Sequence, residues 1–157
     1  MQFSSGASYL FRTNRAINYI KFMTTLIIMK EKGVPQIIQD VGFNFWWDVR
    51  KVWKLDYPVE DMDISELEWH FEIPFWNTEK GYYDLRPIDV MDSPSTHEEE
   101  FNRTMRTDLA YPVDIMMNKG RWLILDGLHR LVKARIQDIR KIKVRRIPRS
   151  EIKNIEK

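Results

Sequence analysis

Apolar side chains recur every three or four residues in the first part of the chain, which is the spacing of amphipathic helices. Segment 12–29 predicts a helix that packs five apolar side chains on the body of the protein: Ile17, Ile20, Met23, Ile27 and Ile28. Segment 36–41, after Pro35, predicts one or two helical turns. Segment 45–55 predicts a further helix with Asn44 as its N-cap and one apolar face: Phe45, Val49, Val52 and Trp53.

The middle of the chain is predicted to contain extended segments and one helix. Segment 68–73 alternates apolar and polar residues and predicts a strand ended by Pro74, and segment 82–91 is predicted to be extended. Four residues then form the pattern of a capping box, which predicts a helix over 97–109: Ser95, Thr96, Glu98 and Glu99.

The last third of the chain has the clearest local signals. Segments 112–117 and 121–125 are apolar runs on either side of Asn118-Lys119-Gly120, which predicts a β-hairpin. A sharp turn then leads into a predicted helix over 129–138. Segment 141–147 alternates apolar and basic residues and predicts a strand, and the charged tail 149–157 is expected to be helical or frayed.

These elements predict an α+β protein with a small mixed sheet and helices, preceded by a mostly helical N-terminal portion. Three segments are expected: a basic leader or N-terminal helix at 1–30, a helical and aromatic portion at 31–81, and the sheet-containing domain at 82–157. Residues 1–30 hold basic but no acidic side chains, so an organelle transit peptide and an added leader before Met29 are alternatives to the packed helix.

Composition narrows the possible functions. The 157 residues are 43% hydrophobic and 31% charged, as expected of one folded domain, and the formal net charge of +2 is too small to mark a nucleic-acid binder by itself. The chain has no cysteine, which excludes disulfides, thiolate metal sites and cysteine nucleophiles. No apolar run approaches the roughly 20 residues of a membrane helix. We therefore expect a cytoplasmic protein with no membrane partner, and a homo-oligomer is a further expectation.

The segment with a defined chemistry is Asp126-Gly127-Leu128-His129-Arg130, at the predicted junction of strand and helix. A glycine there lets a ligand approach the backbone, and the helix end presents unpaired N–H groups and a positive dipole. We predict an anion site with phosphate bound by these N–H groups and by Arg130. The alternative is a purely structural turn with Asp126 as N-cap, His129 bonded to backbone and Arg130 in solvent.

The residues around this segment resemble a known superfamily. Tyr111-Pro-Val-Asp-Ile, the hairpin turn, Arg121-Trp-Leu-Ile-Leu, the Asp-Gly-Leu-His-Arg turn and Ile142-Lys-Val-Arg-Arg-Ile-Pro follow one another as in ParB/sulfiredoxin-like proteins. Leu85-Arg-Pro-Ile-Asp-Val and the Pro94 loop are similar to that family's first strand and first ligand loop, so the resemblance spans 82–148. Leu128 stands where sulfiredoxins have their cysteine, and only nine residues follow Pro148, too few for a ParB DNA reader. The turn is closest to the Asp-Gly-His-His-Arg of free-serine kinases.

The resemblance implies binding of a nucleotide (ATP, ADP or CTP) or another small phosphorylated ligand at Gly127, Leu128, His129 and Arg130, with Lys133 adding positive charge. It implies phosphate transfer or hydrolysis in which Asp126 binds Mg²⁺ or orients His129, and Glu98 or Glu99 accepts the proton of the attacking hydroxyl or water. These glutamates would otherwise only complement the helix dipole.

Two other functions stay open. A noncatalytic nucleic-acid or nucleotide-responsive module would use a basic run near the C-terminus: Lys141, Lys143, Arg145, Arg146 and Arg149. The same charges would otherwise protect an edge strand from aggregation. The tryptophans of the N-terminal portion either fill the core or form a docking or dimer surface: Trp46, Trp47, Trp53, Trp69 and Trp76.

Overall fold

The computed structural model describes residues 33–157 and six positions of the N-terminal segment, namely 17, 19, 20, 23, 24 and 27. These six positions are helical, as predicted. The apolar side chains among the six are exposed, so the prediction that Ile17, Ile20, Met23 and Ile27 pack on the body is wrong. The predicted contact of Ile28 and the transit-peptide and leader alternatives lie outside the described residues.

Residues 33–157 form six α-helices, six strands and three short 3-10 helices. The α-helices are α1 (Gln36–Val41), α2 (Val49–Trp53), α3 (Pro87–Asp92), α4 (Glu98–Met105), α5 (Leu128–Ile136) and α6 (Ile152–Ile155). The strands are β1 (Val59–Asp63), β2 (Trp76–Thr78), β3 (Gly81–Leu85), β4 (Val113–Asn118), β5 (Arg121–Asp126) and β6 (Lys141–Arg146). Short 3-10 helices cover Ile64–Glu66, Glu68–Glu72 and Arg149–Glu151.

The main sheet has four strands in the order β1-β6-β4-β5, and β2 and β3 form a separate two-stranded sheet. Strand β4 pairs antiparallel with β5 and parallel with β6, and β6 pairs antiparallel with β1. The parallel pairing requires the chain to cross over after β5, and α5 makes this crossover. The predicted α+β class with a mixed sheet is confirmed. Because β1 joins this sheet, segments 31–81 and 82–157 share one sheet.

Both faces of the four-stranded sheet are covered, and the contacts of the inner strand β4 show which elements cover each face. Neighbouring residues of β4 belong to different clusters: Ile115 packs with Leu131 and Val144, whereas Met116 packs with Phe45 and Ile155. Strand side chains alternate between faces, so a strand with both faces covered is apolar nearly throughout. Helix α5 therefore lies on one face of the sheet, and the N-terminal aromatic segment with α6 lies on the other.

Two predicted elements of the N-terminal portion are wrong. The helix predicted at 45–55 is only α2, whose N-cap is Asp48 and not Asn44; Phe45 is buried in the core by extended chain that precedes the helix. The strand predicted at 68–73 is a 3-10 helix over Glu68–Glu72. Its consecutive residues His70 and Phe71 are both buried, which a strand with one covered face does not allow.

Two predictions in the middle of the chain are wrong as well. Extended chain ends with β3 at Leu85, because Pro87 begins α3 and proline suits the first turn of a helix. The capping box predicted from Ser95 and Thr96 does not form: the N-cap of α4 is His97, without a side-chain hydrogen bond, and the helix ends at Met105.

The predicted elements of the C-terminal part are confirmed within one or two residues. Hairpin β4–β5, helix α5 and strand β6 lie where their patterns place them. Strand β6 lies between β1 and β4, so its charges do not protect an edge. The tail forms α6 and buries Ile155. No helix within the described part of the chain is long and apolar enough to cross a membrane.

Candidate phosphate site

The turn between β5 and α5 requires glycine. Gly127 has φ +108°, in the left-handed region that side chains disfavour. A Cβ atom at this position would lie 2.8 Å from Nη2 of Arg130 and 3.1 Å from Cα of Val113. The chain therefore turns from strand to helix with other groups packed directly against the glycine, as the sequence predicted.

Arg130 stabilises this turn from inside the protein. Its Nη2 donates to the carbonyl of Pro112 and to Oδ2 of Asp126, each at 3.0 Å, and its side chain is only 17% exposed. The guanidinium is therefore neither solvated, as the structural alternative supposed, nor directed freely at a ligand. Its main contact is with the turn itself.

The N-terminus of α5 has no side-chain cap. Its N-cap is Gly127, and within residues 33–157 nothing accepts a hydrogen bond from the backbone N–H of Leu128 or His129. Asp126 does not cap the helix, because its Oδ2 accepts hydrogen bonds from Nε1 of Trp53 (2.9 Å) and from Arg130. The helix end therefore keeps the unpaired N–H groups and the positive dipole that attract anions.

A cavity of about 320 Å³ adjoins this helix end, and we call it the aromatic cavity. Residues 126–129 form one side of it. Aromatic side chains form most of the rest: Phe43, Phe45, Trp46, Trp47, Phe75, Trp76 and Tyr83. Flat apolar walls beside a few polar groups are typical of sites for small organic ligands.

His129 is held at the edge of this cavity by two contacts. Its Nε2 is hydrogen-bonded to Oε1 of Glu100, and its ring lies parallel to that of Trp76, with 4.6 Å between centroids and 15° between planes. The side chains of His129 and Glu100 are 26% and 16% exposed, and Trp76 is buried. The imidazole is therefore fixed in position by a carboxylate and by an aromatic face.

The other predicted site residues point elsewhere. Glu98 and Glu99 are exposed, and helix α4 directs Glu100 at His129 instead. Nζ of Lys133 donates to the carbonyl of Thr107 at 2.5 Å and so links α5 to the chain that follows α4. The structure thus brings Asp126, Gly127, Leu128 and His129 together at the aromatic cavity and leaves Lys133 outside it.

A second cavity of about 650 Å³ lies on the other side of the turn, and Asp126 lines both. Arg130 and Arg145 line this second cavity. Arg145 is already occupied, because its Nε and Nη2 bind the two carboxylate oxygens of Asp114 at 2.6 and 3.0 Å. Burial raises the pKa of Asp114, and the contact with Arg145 opposes this effect. These charges neutralise each other before any ligand binds.

The basic residues of β6 have acidic partners across the sheet. Arg146 pairs with Glu60 (3.2 Å) and Lys143 lies 3.9 Å from Asp61. Lys141 aligns with Asp63 on the neighbouring strand β1. The positive stripe seen in the sequence is therefore paired with a negative stripe contributed by β1.

Within residues 33–157, Asp126 has no second and third carboxylate or histidine beside it that would complete a metal site made by the protein alone. One carboxylate oxygen of Asp126 already accepts two hydrogen bonds, and Glu100 is bonded to His129. No group of three His, Asp or Glu side chains in the described part of the chain is arranged to hold a metal ion. Mg²⁺ that accompanies nucleotide phosphates stays a prediction.

Glu100 and Trp76 were not predicted as residues of the site. In the structure Glu100 lies four residues before the buried Thr104, on the same face of α4, whereas Glu98 and Glu99 are exposed. No local signal places Trp76 on His129. Comparison with known proteins found no matching family model, curated protein or solved structure.

Proposed function

We propose that this protein binds a nucleotide or a related phosphoester in the aromatic cavity, with a phosphate group at the N-terminus of α5. One observation carries the proposal: Leu128 and His129, whose backbone N–H groups are uncapped, are lining residues of the aromatic cavity. An anionic group at this end gains hydrogen bonds and a favourable interaction with the helix dipole.

The lining of the cavity favours a ligand with a planar ring. Aromatic side chains bind planar groups by stacking and by edge contacts, and a nucleobase has large flat faces. The cavity of about 320 Å³ lies within the usual range for small organic ligands. A ring among the aromatic residues and a phosphate at the helix end match the two chemical parts of a nucleotide.

The order of elements in the C-terminal part also supports membership of the ParB/sulfiredoxin-like superfamily, whereas the segment similar to the family's first strand is helical from Pro87 onward. Hairpin β4–β5, the turn at Gly127, helix α5 and the parallel strand β6 follow in the order that the resemblance implies. On this basis the ligand is ATP, ADP or CTP, and the site transfers or hydrolyses phosphate. A cytoplasmic location and assembly into a homo-oligomer stay predictions.

A noncatalytic nucleic-acid module is the weaker candidate. Binding to a nucleic-acid backbone needs basic side chains that are free to neutralise phosphates. Arg145 is bonded to Asp114, and Arg146 and Lys143 face acidic residues of β1. This pairing favours the nucleotide over the nucleic acid.

A thermal-shift series tests the proposal. ADP, ATP, CTP and GTP are compared, with and without Mg²⁺, against the matching nucleosides and inorganic phosphate. At a concentration of 100 times Kd, a ligand specific for the folded state stabilises it by about 2.7 kcal/mol, which raises Tm measurably. We expect at least one nucleotide to raise Tm more than its nucleoside or phosphate alone. A Tm unchanged by every nucleotide at millimolar concentration would refute the proposal.

A further inference from the structure

The contact between Glu100 and His129 leaves one ring nitrogen of the histidine available. Nε2 faces the carboxylate of Glu100, which accepts a hydrogen bond, so in the neutral imidazole the proton is on Nε2. The lone pair is then on Nδ1, which has no hydrogen-bond partner within residues 33–157. A carboxylate that holds one nitrogen and leaves the other as a proton acceptor is the arrangement of a general base.

The position of the ring agrees with this role. His129 lines the aromatic cavity and lies within the first turn of α5, beside the N–H groups proposed to bind phosphate. A base in this place is close to the phosphorus atom of a phosphate bound at the same helix end. Glu98 and Glu99, the bases predicted from the sequence, are exposed and do not share this position.

Trp76 restricts the ring further. Its indole is 8% exposed and stacks on the imidazole at 4.6 Å, so the ring cannot rotate without losing this contact. Effective proton transfer depends on a base held within hydrogen-bond distance of the proton that it takes. Trp76 thus acts as a positioning residue, through His129.

We propose that Glu100 and His129 form a general-base dyad, positioned by Trp76, that hydrolyses the terminal phosphoanhydride of a nucleoside di- or triphosphate. Nδ1 of His129 takes a proton from water, and the water oxygen forms a bond to the terminal phosphorus. The bond from that phosphorus to the bridging oxygen breaks, and the oxygen leaves with the bond pair as a phosphate oxygen of the shortened nucleotide. The proton then passes from His129 to solvent, so the products are inorganic phosphate, the shortened nucleotide and one proton.

This inference rests on the proposed nucleotide site, and one set of measurements separates the two. Nucleotide Kd by calorimetry and phosphate release at saturating nucleotide are measured on the full chain. Glu100→Gln and His129→Gln are compared with wild type, and His97→Gln is the control, because His97 lies outside the dyad. Glu98→Gln and Glu99→Gln test the bases predicted from the sequence.

We expect kcat to fall by about 100-fold or more in Glu100→Gln and in His129→Gln, while Kd changes by no more than about threefold, because removal of a general base affects the chemical step. The double variant should be no slower than the slower single variant, because the two groups act as a unit. His97→Gln, Glu98→Gln and Glu99→Gln should match wild type. Trp76→Phe should keep most of the rate. Trp76→Leu should lower kcat at saturating nucleotide about tenfold, and because Trp76 also lines the aromatic cavity its Kd is measured separately.

Four results would overturn the dyad, and the first three leave the proposed nucleotide site intact. Wild type that binds nucleotide but releases no phosphate refutes the dyad and leaves the proposed nucleotide site intact. A kcat equal to that of wild type in Glu100→Gln or in His129→Gln also refutes the dyad. Loss of kcat in Glu98→Gln or Glu99→Gln alone refutes it as well. Wild type that binds no nucleotide refutes both proposals. Glu100→Gln can keep the hydrogen bond to His129 through its amide, so it tests the charge without removing the contact.

Discussion

The backbone N–H of Ile124 donates a hydrogen bond to Nε2 of His70, at 3.1 Å. The other ring nitrogen, Nδ1, bonds to the carbonyl of Leu67 at 2.8 Å. The imidazole is 1% exposed and neutral in this arrangement, because one nitrogen accepts and the other donates. His70 thereby joins the free edge of β5 to the 3-10 helix, and both lie beside the aromatic cavity.

This contact predicts that the protein loses stability between pH 6.5 and pH 4. Burial lowers the pKa of His70 to about 4, whereas an unfolded histidine has a pKa of about 6.5. Between these values the unfolded chain binds a proton that the folded chain does not, so stability rises with pH and is complete above pH 6.5. The free energy of unfolding should fall by about 2 kcal/mol from pH 7 to pH 5.

Denaturant unfolding at the two pH values measures this difference. His70→Gln should be less stable than wild type at pH 7, and its free energy of unfolding should change little between pH 7 and pH 5. In His97→Gln, the matched control, the free energy of unfolding should fall between these pH values as in wild type. A difference that survives in His70→Gln would show that other groups cause it.

Gly127→Ala should destabilise the fold more than Gly120→Ala. Both glycines have positive φ, but a Cβ at Gly120 meets no atom within 4 Å, whereas one at Gly127 overlaps Arg130 and Val113. A left-handed alanine costs about 1 kcal/mol or somewhat more, and the overlap at Gly127 should bring its total to about 3 kcal/mol. Urea unfolding of the two variants measures the costs, and equal costs would show that the turn at Gly127 has room for a side chain.

Arg145→Leu should destabilise the protein far more than Arg146→Leu. Asp114 is 2% exposed, and removal of Arg145 leaves its carboxylate buried without a cation, at a cost of about 3 kcal/mol. Arg146 pairs with Glu60 at side-chain exposures of 44% and 43%, and such surface pairs contribute at most about 1 kcal/mol. Chemical denaturation at neutral pH tests this pair of neighbours on β6. Equal losses would contradict the buried role of Arg145.

The elements that could be predicted are those that depend on residues close together in the sequence. The hairpin β4–β5 follows from its turn residues, and β6 follows from alternation. The strand predicted at 68–73 failed because contacts distant in sequence determine this segment: His70 is bonded to Ile124 of β5. The helix predicted at 45–55 failed for a similar reason, since Trp47 pairs with Glu156 and donates to the carbonyl of Leu125.

The candidate site also combines features that depend on nearby residues with features that depend on contacts distant in sequence. A glycine at a strand-to-helix junction has a local cause, so the turn at Gly127 was predictable. The direction of Arg130 was not, because it depends on the carbonyl of Pro112, which the sheet places beside the turn. The choice of Glu100 among three glutamates depends on which face of α4 meets α5, and Trp76 reaches His129 from the separate two-stranded sheet.

Backbone amide chemical shifts during a nucleotide titration test the central claim most directly. In ¹⁵N-labelled protein the largest amide shifts are expected at Gly127, Leu128 and His129, while the amides of β1, at the opposite edge of the four-stranded sheet, stay unchanged. A nucleoside without phosphate should move the tryptophan indole signals of the aromatic cavity but should move the Leu128 and His129 amides less. Largest shifts on strand β6, or no shift at the N-terminus of α5 with saturating nucleotide, would contradict the claim that this helix end binds phosphate.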